Sequence, residues 1–273
     1  MIFTRFHTRM LTAALLFFLL TAATMEGYRE INRIPARGTS VSSDELGNAF
    51  LTAGNQLLKY SPAGKKLHTY SNLYSGDISH VDTQDPFKIL LFYQPFAQVE
   101  FLDQTLSLTS SRIDLNQLGL GLASLVCTSY QGAIWVYNPV DFELLRIDQQ
   151  LEVAERTGNL LQSTGLALDP NFMVERDNFL YLNDPAAGIL IFDKYGSYYK
   201  TVPVKGLTSF QVFNNKIIFT RGDEVGIYDV KLNELSTTTL PQGEYRSAAV
   251  VMSLDPERLY MLLDDALVFY EIR

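Results

Sequence analysis

The chain has 273 residues, 47% of them hydrophobic and 19% charged, with a net charge of −8 and a mean hydropathy near zero. This composition excludes a disordered chain and is ample for a large core. The acidic balance argues against binding to nucleic-acid phosphates or anionic lipid, and the single cysteine, Cys127, excludes an internal disulfide.

At the N-terminus, Arg5 and Arg9 precede the apolar run Leu11 to Leu20, which the small residues Thr21, Ala22 and Ala23 follow. Positive, then apolar, then small is the order of a secretory signal peptide. The run is shorter than the roughly 20 residues that span a bilayer. Residues 1–23 are therefore expected to be removed near Ala23, leaving an extracytoplasmic protein, periplasmic or secreted, with no membrane insertion. An uncleaved N-terminal anchor is the alternative. Loss of Arg5 and Arg9 takes the net charge to −10.

Beyond this segment one pattern recurs: apolar strand, polar turn, apolar strand closing on an aromatic residue, second turn, third strand. It begins at Asn48, Lys88, Ser124, Asn178, Asn215 and Glu257. The closing aromatics are Tyr60, Phe101, Tyr137, Phe192, Tyr228 and Tyr270, spaced 41, 36, 55, 36 and 42 residues apart. A period near 40 is that of a four-stranded propeller blade. The expected fold is all-β, a six-bladed β-propeller of four-stranded antiparallel blades in one domain over 24–273. A seventh blade hidden in the 55-residue interval is the alternative; otherwise "QQLEVAERTGNLL" from Gln149 and "NFMVERDN" from Asn171 are insertions in one blade.

Between copies lie the expected innermost strands, "DISHVDTQ" from Asp77, "STGLALDP" from Ser163, "LTSFQVFN" from Leu207 and "SAAVVMSLDP" from Ser247. The last copy has only three strands. "REINRIPARGTSV", about residues 29–41, is expected to add its missing outer strand and close the ring, which also protects a sheet edge.

The fourth copy carries a family resemblance. In "GLALDP…DNFLYLNDPAAGILIFDKYGSYYKT", the residues Gly165, Asp169, Asn178, Tyr181, Asp184, Phe192, Asp193 and Gly196 match an NHL-type repeat. The match departs from that pattern at Met173 to Arg176, read as an insertion, and at the turn Pro185 to Gly188. The chain thus resembles six-bladed propellers of the broad NHL/TolB-like kind, similar to uncharacterised exported bacterial propellers. The other copies keep only the strand skeleton, and such propellers include both binding scaffolds and enzymes.

Chemical motifs are sparse. No His-Glu-x-x-His, Gly-x-Ser-x-Gly or Walker sequence occurs. His68 falls on an expected outer strand, and Cys127, among Leu, Val and Thr, reads as a small core residue. His80 could face the central channel with Asp77 and Asp82, since strand residues alternate faces. No catalytic residue, metal ligand or cofactor is assigned. Lactonase-like propellers hold a metal on Glu, Asn and Asp from inner strands, so the alternative function is a hydrolase or lactonase with Ca²⁺ in the channel.

What remains is the loop face, where the connections between second and third strands gather. The sequence places Tyr93, Phe96, Tyr130, Asn183, Asp184, Arg221 and Asp264 there. Aromatic and Arg side chains are enriched at interface hot spots. The expected function is a non-enzymatic scaffold that binds a protein or peptide, as a monomer or within a hetero-assembly of the envelope. The expected candidates are thus these seven on the loop face, with Asp77 and His80 in the channel.

Overall fold

A computed structural model describes residues 27–109 and 112–273. The expected signal segment, residues 1–23, lies outside the described residues. Six four-stranded antiparallel sheets follow one another along the chain. Blade 1 covers residues 40–71, blade 2 80–114, blade 3 125–156, blade 4 172–202, blade 5 211–239 and blade 6 247–272. The outer strand of blade 6 is Tyr28–Pro35, paired antiparallel with Ala266–Ile272. The strand stops at Pro35 rather than running to 41. Ser40–Ser43 is the inner strand of blade 1, paired with Ala49–Ala53.

The sheets pack face to face, and this explains the near-continuous apolar strands. In the strand Phe179–Asp184, Leu180 and Leu182 pack toward blade 3 among Trp135, Tyr137 and Leu144, while Tyr181 packs toward blade 5 among Phe210, Ile217 and Phe219. Six buried clusters result, one per junction between neighbouring blades. Alternation, which in a one-sided sheet separates apolar from polar residues, here separates two apolar sets.

Within a blade the strands run alternately up and down. Loops between strands two and three therefore share one face, the upper, with the connectors to the next blade. Loops between strands one and two, and three and four, share the lower face. In every blade the connector's N–H donates to a carbonyl of the second–third loop, for example Ile78 to Gly54, Leu115 to Ala97 and Leu160 to Phe142, at 2.7 to 3.0 Å.

Blade 3 corrects the repeat alignment by one strand. Tyr137 lies on its second strand, Ile134–Asn138, whereas the other five aromatic marks lie on third strands. The true counterpart is Ile147. The ladder to the outer strand shifts register at Lys59/Tyr60, at Arg146/Ile147 and at Ile191/Phe192, and the same turn follows each. Asp148 N–H donates to Glu152 O and Leu151 N–H to Asp148 O, as Asp193 and Gly196 do in blade 4. With Ile147 in place, the spacings become 41, 46, 45, 36 and 42, and no interval remains for a seventh blade. The two expected insertions are strands: Val153–Arg156 is the outer strand of blade 3 and Phe172–Arg176 the inner strand of blade 4. "STGLALDP" is not a strand; its first residues end a short helix, Leu160–Thr164, capped by Gly165.

The turn has a left-handed position occupied by Gly64 and Gly196 in blades 1 and 4 but by Leu106 and Leu151 in blades 2 and 3. A β-carbon there costs about 1–2 kcal/mol, so Leu151→Gly should raise the unfolding free energy, by roughly 0.5 kcal/mol after the added chain entropy of glycine. Asp148 Oδ1 accepts from the N–H groups of Gln150 and Glu152. Asp148→Ala should lower stability by about 1 kcal/mol, and urea unfolding of both variants checks the assignment.

Candidate functional site

The structure redistributes the expected loop-face residues. Phe96, in the second–third loop of blade 2, is on the upper face and 48% exposed. Arg221 and Asp264 are also exposed there. Arg221 donates to Lys205 O at 3.2 Å, and Asp264 accepts an ion pair from Arg246 at 2.7 Å. The other four are not available to a partner on that face.

Tyr93 is 0% exposed, the last residue of the strand Ile89–Tyr93, and packs in the core between blades 1 and 2. Burial, with the nearby Glu100 carboxylate, pushes its phenol pKa far above the ordinary value. Asn183 and Asp184 are buried and build the turn. Asp184 accepts from the N–H groups of Asp169, Ala186 and Ala187 at 2.7 to 2.8 Å. Asn183 Nδ2 donates to Asn171 Oδ1 and Leu207 O. Tyr130 belongs to the first–second loop of blade 3 and so to the lower face, a direct result of the one-strand slip. There the Arg146 guanidinium stacks on its ring at 3.7 Å, and its N–H donates to Glu175.

The sequence missed the most exposed apolar residues of the upper face. Leu73 is 83%, Tyr74 92% and Leu122 71% exposed. All three sit in connectors, Leu73 and Tyr74 between blades 1 and 2 and Leu122 between blades 2 and 3. Their connectors adjoin Phe96: Gly76 of the first lies against its ring, and Asn116 Nδ2 of the second donates to its carbonyl at 3.1 Å. Val140, in the neighbouring second–third loop of blade 3, is exposed as well. The available signal was apolar residues framed by Asn, Ser and Gly in "SNLYSG" and "GLGLAS". Turn composition marked those stretches as connections, and nothing local revealed that three loops converge.

The channel is crossed rather than open. Gln211 of blade 5 donates to Ser43 Oγ of blade 1 at 2.6 Å and accepts from Val250 N of blade 6 at 2.8 Å. Arg176 of blade 4 pairs with Glu45 of blade 1, the blade opposite. Near the upper end His80 of blade 2 and Phe172 of blade 4 meet edge to face, with ring centroids 5.5 Å apart, and Phe172 meets Phe210, in the connector before blade 5, at 5.0 Å. Between these crossings lies a cavity of about 120 Å³. His80 and Asp82 line it, but Asp77 does not; Asp77 is exposed in the upper connector.

Asp82 Oδ2 accepts from the N–H and hydroxyl of Thr128 at 2.9 and 2.6 Å. Cys127 is buried between blades 3 and 4, and burial pushes its thiol pKa well up, which leaves it a weak nucleophile. Among the described residues no group of three or more His, Cys, Asp or Glu side chains is arranged to hold a metal ion. Nor is any described helix long and apolar enough to cross a membrane.

This architecture is that of a six-bladed β-propeller. No protein-family model matches the chain, and no curated protein does. Among solved structures it is similar to a streptogramin B lyase, at 13% identity over 90% of this chain and 98% of that one, with a TM-score of 0.62. It is also similar to virginiamycin B lyase from Staphylococcus aureus, at 11% identity over 90% and 100%, with a TM-score of 0.59. A chain of the mitotic checkpoint complex gives 9% identity over 89% and 94%, with a TM-score of 0.58. At such identities the likeness establishes the fold alone.

Burial lowers the pKa of His80 despite the opposing pull of Asp82. The folded state therefore binds fewer protons than the unfolded state once the pH drops below the unfolded value of about 6.5. His80 should cost stability as pH falls through that value, and the loss should grow until the folded imidazole is itself protonated. Unfolding midpoints at pH 7.5 and 5.5 should drop more for the wild type than for His80→Gln.

Proposed function

We propose that this protein is a non-catalytic propeller that binds a protein or peptide outside the cytoplasm, through the upper face of blades 1 to 3. The observation that carries this reading is the exposure of Leu73, Tyr74, Phe96 and Leu122 on adjoining loops. Contiguous exposed apolar side chains are rare on monomeric surfaces and mark interaction sites. Two aromatics and two leucines can fill pockets on a partner and expel water, the usual anatomy of a hot spot. The second–third turns of blades 5 and 6 carry Arg221, Asp223 and Asp264 instead, a charged surround suited to an interface rim.

Location outside the cytoplasm rests on the order of the N-terminal segment, Arg5 and Arg9 before Leu11 to Leu20 and the small residues. A place in an envelope assembly is consistent with that location. Propellers also serve within assemblies elsewhere, as the similar chain of the mitotic checkpoint complex illustrates.

The test is a comparison of three forms of the full chain as bait for envelope extract: wild type, Leu73→Asp with Tyr74→Asp, and Arg221→Ala. Captured partners should persist with Arg221→Ala and fall at least tenfold with the double variant, which changes only exposed loop side chains and should keep the wild-type melting temperature. Identical captured sets for all three would remove the upper face of blades 1 to 3 from consideration.

A further inference from the structure

The loops that carry the exposed apolar residues are charged with one sign. Residues 54–55, 72–79, 94–97, 115–124, 139–142 and 157–171, the upper-face loops of blades 1 to 3 with their connectors, contain Asp77, Asp141 and Asp169 and no Lys or Arg. All three carboxylates are exposed, and none has a cationic partner among the described residues. Asp141 accepts only from Asn138 Nδ2, at 2.8 Å. The Asp77 and Asp169 carboxylates accept from no donor there.

Amid these loops the surface sinks into a recess of about 410 Å³. Its lining starts beside the exposed residues: Gln94 lies two positions before Phe96, Ser124 two after Leu122, and Pro139 and Phe142 bracket Val140. Leu125, Leu168 and Pro170 add apolar wall, and Asp169 is the one charged residue of the lining. Tyr137 supplies a second polar group. It is only 2% exposed and packs with Leu168 in the junction of blades 3 and 4, yet its hydroxyl makes no hydrogen bond among the described residues. Unlike the hydroxyl of Tyr93 it is not sealed in the core, because Tyr137 lines the recess. Burial, then the carboxylates of Asp169 and Asp184, raise its pKa, so the phenol keeps its proton and lies within electrostatic reach of Asp169.

We propose that this recess takes the side chain of a lysine or arginine from the partner, so that the upper face recognises a basic residue set among apolar ones. A basic partner presupposes that the upper face of blades 1 to 3 is the docking surface. The aliphatic stem of such a side chain can lie along the apolar wall while its charged head stays at the polar rim. The head supplies the cation that Asp169 lacks, and its N–H groups can donate to a carboxylate or to a phenol oxygen. An apolar side chain in the recess would strip water from an unpaired carboxylate and an unbonded hydroxyl, and both are costly. An acidic one would meet the Asp169 charge. The volume corresponds to roughly 13 waters at about 30 Å³ each, ample for one long side chain.

NMR titration of the isotope-labelled full chain tests this with the capped tripeptides acetyl-Leu-Arg-Leu-amide and acetyl-Leu-Lys-Leu-amide, and with neutral counterparts carrying citrulline or norleucine at the centre. One or both basic peptides should shift the backbone amide resonances of Tyr137, Leu168, Asp169 and Asn171 saturably, and the neutral peptides should bind at least tenfold more weakly. Asp169→Asn should weaken binding of the basic peptides at least tenfold and Tyr137→Phe at least threefold. Both variants alter groups that have no partner, so their melting temperatures should stay near the wild-type value. No shift with either basic peptide at about 10 mM, equal binding of a neutral peptide, or undiminished affinity in either variant would overturn the proposal. The two readings separate cleanly. If the basic peptide binds as expected but capture from extract ignores Leu73→Asp with Tyr74→Asp, the recess stands and the partner surface falls. If capture depends on those residues and no basic peptide binds, the surface stands and the recess falls.

Discussion

Each sheet in this molecule is covered on both faces by its neighbours, and the remaining features follow from that constraint. A sheet packed on one side could leave alternate residues to solvent. Here Leu180 and Leu182 serve one junction and Tyr181 the next. The largest fully buried side chains, Trp135, Tyr93, Tyr137, Tyr260 and Phe192 among them, lie in such junctions. Chemistry is thereby displaced to the loops at either face and to the inner strands, where the blades converge.

At the centre the six-fold pattern is broken. Gln211, Arg176 and His80 reach across to blades that are not their neighbours in the chain, so the channel becomes a small cavity with selected walls. The polar atoms within it are not interchangeable. Several are committed to bonds between blades, as with Asp82 and Thr128 and with Gln211 and Ser43. The upper face is similarly uneven, with exposed apolar residues gathered on the connectors of blades 1 and 2.

Much of the fold was legible in the sequence because strand alternation and a period near 40 residues are local properties. The third copy was misread for a physical reason. The strand Leu125–Thr128 is as apolar as a second strand, because inner strands of this blade are buried on both faces too. Ile147 replaces the aromatic mark, and Leu151 stands where a glycine would have signalled the turn. The slip then carried Tyr130 to the wrong face. A different error affected Tyr93, Asn183 and Asp184, which border loops in the sequence but turn inward in space. The strand and turn placement that the NHL-like resemblance implied holds for "DNFLYLND" and "FDKYG", yet its leading strand fell on a helix end, because the segment read as an insertion, Phe172–Arg176, is the inner strand.

The sequence by itself determined the class of fold, the number of repeated sheets and the need for an N-terminal strand to complete the last one, since each depends only on the order of apolar and turn residues along the chain. Tertiary structure decided which face each loop occupies, that Leu73, Tyr74 and Leu122 share the upper face with Phe96, and that Asp82 is held by Thr128 while Glu45 pairs with Arg176. Exposure and charge balance are set by neighbours that arrive from distant blades, and no local pattern records them.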